Sequence, residues 1–233
     1  MNKWPAPIDH AYILCDVERE PERAAYLTTW IRENNLDPSC YTIACKTYGT
    51  TLGAEEAMAH YDPFLWRRPI EDEQSTFHSN LKKSEISLLL NWHDVAQRAV
   101  EAGHGVVMTL ESDVLFPPTF LSDLETAMRL LTPGEFDFLS LGGPEFMRPQ
   151  RNDGETSLMW FKSIGYPKTR TCDAMVFTGA LLKKIVGSFF PCTDVLDWEL
   201  NYHLNLHSAR CGWIDPPLLT QGSGTGVYET TLQ

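Results

Sequence analysis

The tripeptide Glu111-Ser112-Asp113 carries the clearest chemistry in the chain. It follows the apolar run Val106-Val-Met-Thr-Leu110 directly, and side chains two positions apart on a strand point the same way. Two carboxylates presented together where a buried strand ends face the crevice in which open α/β sheets bind ligands. Buried like charges about one pleat apart are costly unless a cation lies between them. Hard oxygen ligands favour Mg2+ or Mn2+, ions that keep coordination positions for water and a substrate phosphate. The spacing therefore predicts a divalent ion bridging the pair to a diphosphate. The plainer alternative is an acidic turn that caps the next helix. The apolar segments on both sides, Val114-Leu-Phe116 being the second, argue against a merely solvated turn.

The elements that must hold this pair alternate along the chain. Ala11 to Cys15 reads as a buried strand, and Pro21 opens a helix to about Asn34, where its missing N–H costs nothing. Cys40 to Ala44 reads as a second strand. Residues 46–80, punctuated by Gly49, Gly53, Pro63 and Pro69, read as loop with short helical pieces. Lys82 to Glu101 holds no Gly or Pro, and its apolar residues fall on both sides of a helical wheel, so this helix is expected to be covered on more than one face. A strand over 106–110, a helix over 120–131 and a strand over 136–141 follow. Polar residues fill 144–170, which reads as a long loop of the size that tends to be functional. Strands over 174–178 and 211–214 and helices over 181–186 and 194–207 complete a βαβ-like alternation.

The 233 residues fit one large domain with no internal repeat or linker. With 31 acidic against 19 basic side chains the formal charge is −12, which disfavours nucleic acid and anionic membrane as partners. An anionic small ligand is admitted only with a local cation. No membrane span or signal peptide is read, and six scattered cysteines without a C-x-x-C pair fit buried thiols in a reducing cytoplasm.

Several segments together resemble glycosyltransferase family 25, the family of lipopolysaccharide and collagen galactosyltransferases. Ser84-Glu-Ile-Ser-Leu-Leu-Leu-Asn91 and Val106-Val-Met-Thr-Leu-Glu-Ser-Asp-Val114 are similar to its G-E-I-x-C-x-x-S-H helix start and I-L-E-D-D-V strand end. Asp16 to Arg23 resembles its N-L-x-R-R-x-x-R, Phe136 to Gly142 its W-D-x-x-x-L-G, Asp194 to Leu200 its P-V-D-x-x-L, and Pro216 to Gln221 its P-P-L-x-x-Q. The resemblance spans about residues 11–221 in order. Asp16 stands where the family has Asn, Ser112 replaces the middle acid, Ser84 replaces Gly, and Trp92 or His93 stands near the family's His.

The resemblance implies a GT-A-like nucleotide-diphospho-sugar transferase fold with a mixed, mostly parallel central sheet. Its nucleotide-binding half would span about 8–115, its acceptor half about 116–221, and residues 222–233 would form a tail. It implies a metal-dependent, inverting hexosyl- or pentosyltransferase that moves a sugar from a UDP-sugar to a hydroxyl of a glycan or glycoprotein. Mn2+ or Mg2+ would sit on Asp113 first and Glu111 second. Leu14, Asp16, Arg23, Lys83, Glu85, Glu111 and Ser112 would form the donor site. The general base would be Asp197, in the first turn of a helix whose dipole favours the anion, with Asp173 in reserve. Glu199, His203 and His207 share a helix face, and His203 is the candidate for a last metal ligand. The competing readings are a catalytically weak nucleotide- or glycan-binding relative and a metal-dependent phosphoesterase.

Overall fold

A computed structural model describes residues 1–63, 81–130, 134–143, 159–163, 169 and 171–229. Its frame is a seven-stranded mixed sheet in the order β2-β1-β3-β7-β5-β8-β6. The strands are β1 (His10–Leu14), β2 (Tyr41–Ala44), β3 (Val106–Glu111), β5 (Phe138–Ser140), β6 (Met159–Ser163), β7 (Ala174–Thr178) and β8 (Cys211–Asp215). β1 pairs in parallel with β2 and β3, and β5 with β8. β7 runs antiparallel to both β3 and β5, and β6 antiparallel to β8. A second, two-stranded ladder joins β4 (Val114–Leu115) to β9 (Thr220–Gln221).

Alternation along the strands gives the sheet two apolar faces. On one, Ile13, Met108, Leu110 and Val176 meet Leu27 and Ile31 of α1 (Pro21–Glu33) and Phe120 and Leu124 of α4 (Phe120–Leu130). On the other, Tyr12, Leu14, Val107, Met175 and Phe177 meet α3 (Lys83–Glu101), α5 (Gly179–Val186) and α6 (Leu196–Leu206). Leu27, Leu182 and Leu200 are fully buried, each worth about 1.5–3 kcal/mol of transfer free energy. The long helix α3 is covered on two sides as its pattern predicts: Leu89, Trp92 and Val95 enter the sheet-facing core, while Ile86 and Leu90 pack in a satellite core with Leu52 and Ala57.

Gly103 takes a φ of 73° just past α3, and Asn35 a φ of 50° just past α1, where left-handed backbone ends a helix. One of the short helical pieces expected within 46–80 is α2 (Ala54–His60), with residues 64–80 outside the described set. One expectation needs correction: the segment expected as a loop over 144–170 contains the edge strand β6, paired along its length with β8. The short ladder of β4 and β9 has no counterpart among the expectations, since two-residue strands carry no period. Among the described residues no helix is long and apolar enough to cross a membrane. All six cysteines are thiols, and five of them are buried.

Candidate functional site

Parallel register sets Leu14 beside Glu111, so β1 and β3 end together at one edge of the sheet. β7 arrives from the opposite direction and begins at that same edge, where the Glu111 N–H donates to the Asp173 carbonyl at 2.9 Å. Glu111 is the last residue of β3, and Ser112-Asp113 form a turn before β4. The two carboxylates are therefore brought together by a turn, not by the pleat that the spacing predicts.

The C-terminal segment folds back over this turn. β9 pairs with β4, the Gly222 N–H donates to the Asp113 carbonyl at 2.7 Å, and the short helix α7 (Gly222–Thr225) follows. Ser223 donates to Asp113 Oδ2 from its hydroxyl at 2.5 Å and from its N–H at 3.3 Å. The Gln221 amide donates to Glu111 Oε2 at 3.2 Å.

Ser112 faces a buried ion pair. Arg23 Nη1 donates to Glu20 Oε1 at 2.8 Å and to the Ser112 hydroxyl at 2.9 Å, and that hydroxyl donates to Glu20 at 3.0 Å. Arg23 Nη2 reaches the Glu229 carbonyl at 2.5 Å, and the guanidinium lies 5.3 Å from the Tyr228 ring. A serine is the residue that both accepts from the arginine and donates to the glutamate; an acid here would meet Glu20 as a like charge.

Two clefts open at this edge. The first is lined by Leu14, Asp16, Glu20 and Arg23, by Cys45 to Gly49 in part, by Ser84, Leu88 and Asn91 of α3, and by Glu111, Ser112, Asp113, Gln221 and Ser223. The second is lined by Glu85, Leu88, Glu111, Thr171, Cys172, Val195, Leu196, Asp197 and Gln221. Glu111 and Gln221 stand on the border between them.

Glu111 keeps a strip of surface toward the clefts but is otherwise enclosed by protein. That burial pushes its carboxyl well above the ordinary range, and the charges of Asp113, Asp173 and Asp197 push it further, against a weaker pull from Arg23. Four carboxylates thus feel one another across the sheet edge. Asp113 is buried, and its Oδ1 has no hydrogen-bond partner. A carboxylate oxygen left in that state is stabilised by a cation.

The oxygen donors around it suit a hard divalent ion. The thiols of Cys15 and Cys45 also line the first cleft, but burial pushes them up to about 12 and about 11, so both stay protonated and are poor ligands. Among the described residues no group of three or more His, Cys, Asp and Glu side chains is disposed to hold a metal. An ion here would rest on Asp113 and Glu111 and complete its shell with water and ligand oxygens.

The remaining candidates separate. Leu14, Asp16, Arg23 and Ser112 line the first cleft, although the Asp16 carboxylate is already engaged by the N–H groups of Glu18 and Arg19 and by the Arg19 guanidinium. Lys83 is not a lining residue of either cleft; its ammonium donates to the Leu52 carbonyl at 2.9 Å and braces the approach to α2. Glu85 lines the second cleft instead of the first, and its carboxylate accepts from the Lys82 N–H at 2.7 Å in a capping arrangement.

Asp197 lines the second cleft, with one oxygen accepting from the Trp198 N–H at 2.9 Å. Asp173 does not serve as a reserve base in this arrangement. It is fully buried, accepting from the Thr171 hydroxyl at 2.6 Å and the Gly143 N–H at 2.8 Å, and burial raises its carboxyl against those donors. Its work is to hold the 142–143 turn.

His203 is not brought to the carboxylates. Its ring is buried, stacked on Phe189, with Nδ1 3.3 Å from the Ser188 hydroxyl and Nε2 3.5 Å from Glu199. The shared face of Glu199, His203 and His207 is turned toward the end of α5. Glu199 reaches back to the N–H groups of Thr193 and Asp194, and the helix expected from 194 begins at Leu196, with Val195 as its N-cap.

Sequence reasoning did not single out Glu20, Tyr48, Asn91, Gln221 or Ser223 as site residues. Asn91 accepts from the N–H groups of Lys46 and Thr47 and donates to the Thr47 carbonyl, which fixes the loop carrying Tyr48. Trp160 and Phe161 lie in β6, and Tyr166 lies outside the described residues. No family model matches the chain, and no curated protein matches it.

Proposed function

We propose that the chain is a metal-dependent glycosyltransferase of GT-A-like fold. It would move a hexosyl or pentosyl group from a UDP-sugar to a hydroxyl of a glycan or glycoprotein, with inversion. One observation carries this reading: two clefts meet at Glu111 and Gln221, with the unpartnered Asp113 Oδ1 on one side and the Asp197 carboxylate on the other. The arrangement of the sheet supports it, since a parallel block β2-β1-β3 borders the first cleft and the reversed β7 leads from the second. So does the charge balance of the first cleft, where Asp16, Glu20, Glu111 and Asp113 are among the lining residues and Arg23 is the one cation among the described ones. A diphosphate enters such a site only with a cation.

In this reading Asp113 and Glu111 would hold the ion, whose positive charge would offset the negative charge developing on the leaving diphosphate. Arg23, fixed by Glu20, keeps Ser112 and the acidic turn in place. Asp197 takes the proton from the acceptor hydroxyl at its carboxylate oxygen. The acceptor then attacks from the second cleft while the diphosphate departs into the first, and attack from the opposite side inverts the anomeric centre. Leu88, Val195 and Leu196 exclude water from the acceptor side, which limits hydrolysis of the donor.

The test is calorimetric titration of UDP with Mn2+ and with chelator, followed by turnover assays. Wild-type protein should bind UDP far more tightly with the ion than in chelator, and Asp113→Asn should lose at least about tenfold of the ion-dependent affinity while melting cooperatively. Asp197→Asn should bind UDP normally and lose about 10²–10⁴-fold in kcat. UDP binding that ignores Mn2+ or the Asp113 substitution would overturn the reading.

A binding-only protein is favoured by one feature, the engagement of an oxygen of each metal-site carboxylate by Ser223 and Gln221. Ion-dependent UDP binding with no turnover on any acceptor, and no donor hydrolysis, would decide for it.

A further inference from the structure

Gln221 holds a place that glycosyl transfer leaves unassigned. A sugar passing from a diphosphate in one cleft to a hydroxyl in the other has its anomeric carbon between them. Its ring must therefore lie along the border that Leu88, Glu111 and Gln221 share. Leu88 offers only apolar surface, and Glu111 offers carboxyl oxygens. Gln221 brings an N–H donor and a carbonyl acceptor at one side-chain end, the pair that a ring hydroxyl can satisfy together.

The position is also rigid. Gln221 pairs with Val114 in the β4–β9 ladder, and the next residue donates to the Asp113 carbonyl at 2.7 Å. A Cβ on Gly222 would stand 2.9 Å from that carbonyl, so the backbone cannot be wider here. The amide is thus fixed relative to the acidic turn, and its Nε2 already meets Glu111 Oε2 at 3.2 Å.

We infer that Gln221, with Glu111 beside it, reads the hydroxyl pattern of the transferred sugar and thereby selects the nucleotide sugar used. The inference rests on the glycosyl-transfer reading above. An epimer whose hydroxyl points away leaves the amide unpaired at a closed border, and sites built to bond a hydroxyl reject such analogues strongly. A tightly held amide selects by configuration, whereas an apolar wall there would select by size alone.

The experiment compares wild type, Gln221→Ala and the isosteric Gln221→Glu. UDP binding with Mn2+ is measured by calorimetry, melting by calorimetric scan, and kcat/KM for donor hydrolysis with UDP-glucose and UDP-galactose, epimers at one hydroxyl. Wild type should prefer one epimer by at least about tenfold, the worth of one good hydrogen bond. Both substitutions should narrow that preference to within about threefold, mainly by lowering kcat/KM for the preferred sugar; because Gln221 also touches Glu111, the epimer ratio, in which any common change in UDP or ion binding cancels, is the readout. An unchanged epimer ratio, or an equal loss for both sugars with a lowered melting temperature, would overturn the inference and leave the transfer reading standing. Equal use of both epimers by the wild type would do the same. Failure of wild-type protein to bind UDP with Mn2+ would overturn the transfer reading, and this inference with it.

Discussion

Arg23 and Glu20 show how much of this site is held by charges removed from water. Both side chains are more than nine-tenths buried, 2.8 Å apart. Removing one partner of such a pair strands the other, so Arg23→Leu is expected to cost about 3–5 kcal/mol in urea denaturation. Arg23→Leu combined with Glu20→Leu should regain part of that loss. Glu111 works the other way. Its carboxyl titrates well above the ordinary 4.5, so the folded state binds a proton that the unfolded state releases. Stability is therefore lost as pH rises above 4.5 toward the folded value. In chelator at pH 7–8, Glu111→Gln should raise the melting temperature by about 2–4 °C, with the gain vanishing near pH 4. No gain at neutral pH would mean that the cluster does not repel.

Glu111, Ser112 and Asp113 were legible because an apolar strand ran straight into them. Gln221 and Ser223 were not, since they meet those carboxylates from 110 residues away in the chain and no local pattern encodes that distance. Asp173 was legible as a reserve base but not as a structural acid. Its role follows from Gly142, where any Cβ would collide with its carboxyl group. Gly142→Ala is expected to destabilise by about 2–4 kcal/mol, the range for overpacking combined with a disturbed buried charge.

Among the elements, those with a long period or an uninterrupted apolar run were read from sequence with their ends nearly correct. The helix expected over 82–101 spans Lys83–Glu101, and the strand expected over 174–178 is Ala174–Thr178. β6 escaped because its five residues mix Trp and Phe with Lys and Ser and sit at the sheet edge, where one side needs no partner. The direction of β7 was likewise hidden, for hydrophobic alternation is the same whichever way a strand runs. Element positions also govern the loop after β2. Asn91 is the brace between α3 and that loop, so Asn91→Ala leaves the Lys46 and Thr47 amides without their side-chain acceptor. A loss of about 1–3 kcal/mol in denaturant is expected, with faster hydrogen exchange confined to the residues around Tyr48.

At the scale of the whole molecule, the net charge of −12 acts on any anionic ligand before contact. The field is screened over about 10 Å at 0.1 M salt. UDP added without a divalent ion should therefore bind less weakly as sodium chloride is raised from 50 to 300 mM, since the dominant interaction is repulsion (salt range about that of ordinary buffers). With Mn2+ present the trend should reverse, because the ion-mediated contact is attractive and is itself screened. Calorimetry at both salt levels separates the two signs, and a common trend would mean that the fold's overall field does not reach the cleft.

The reversed strand β7 has one more consequence. A chain that runs backward between two forward neighbours delivers its upstream end to the rim where they deliver their downstream ends, without any crossover. Thr171 and Cys172, just ahead of β7, form a wall of the second cleft for that reason. A change at Thr171 therefore alters the cleft wall directly, while the β3–β7 ladder, which begins at Ala174, keeps its hydrogen bonds.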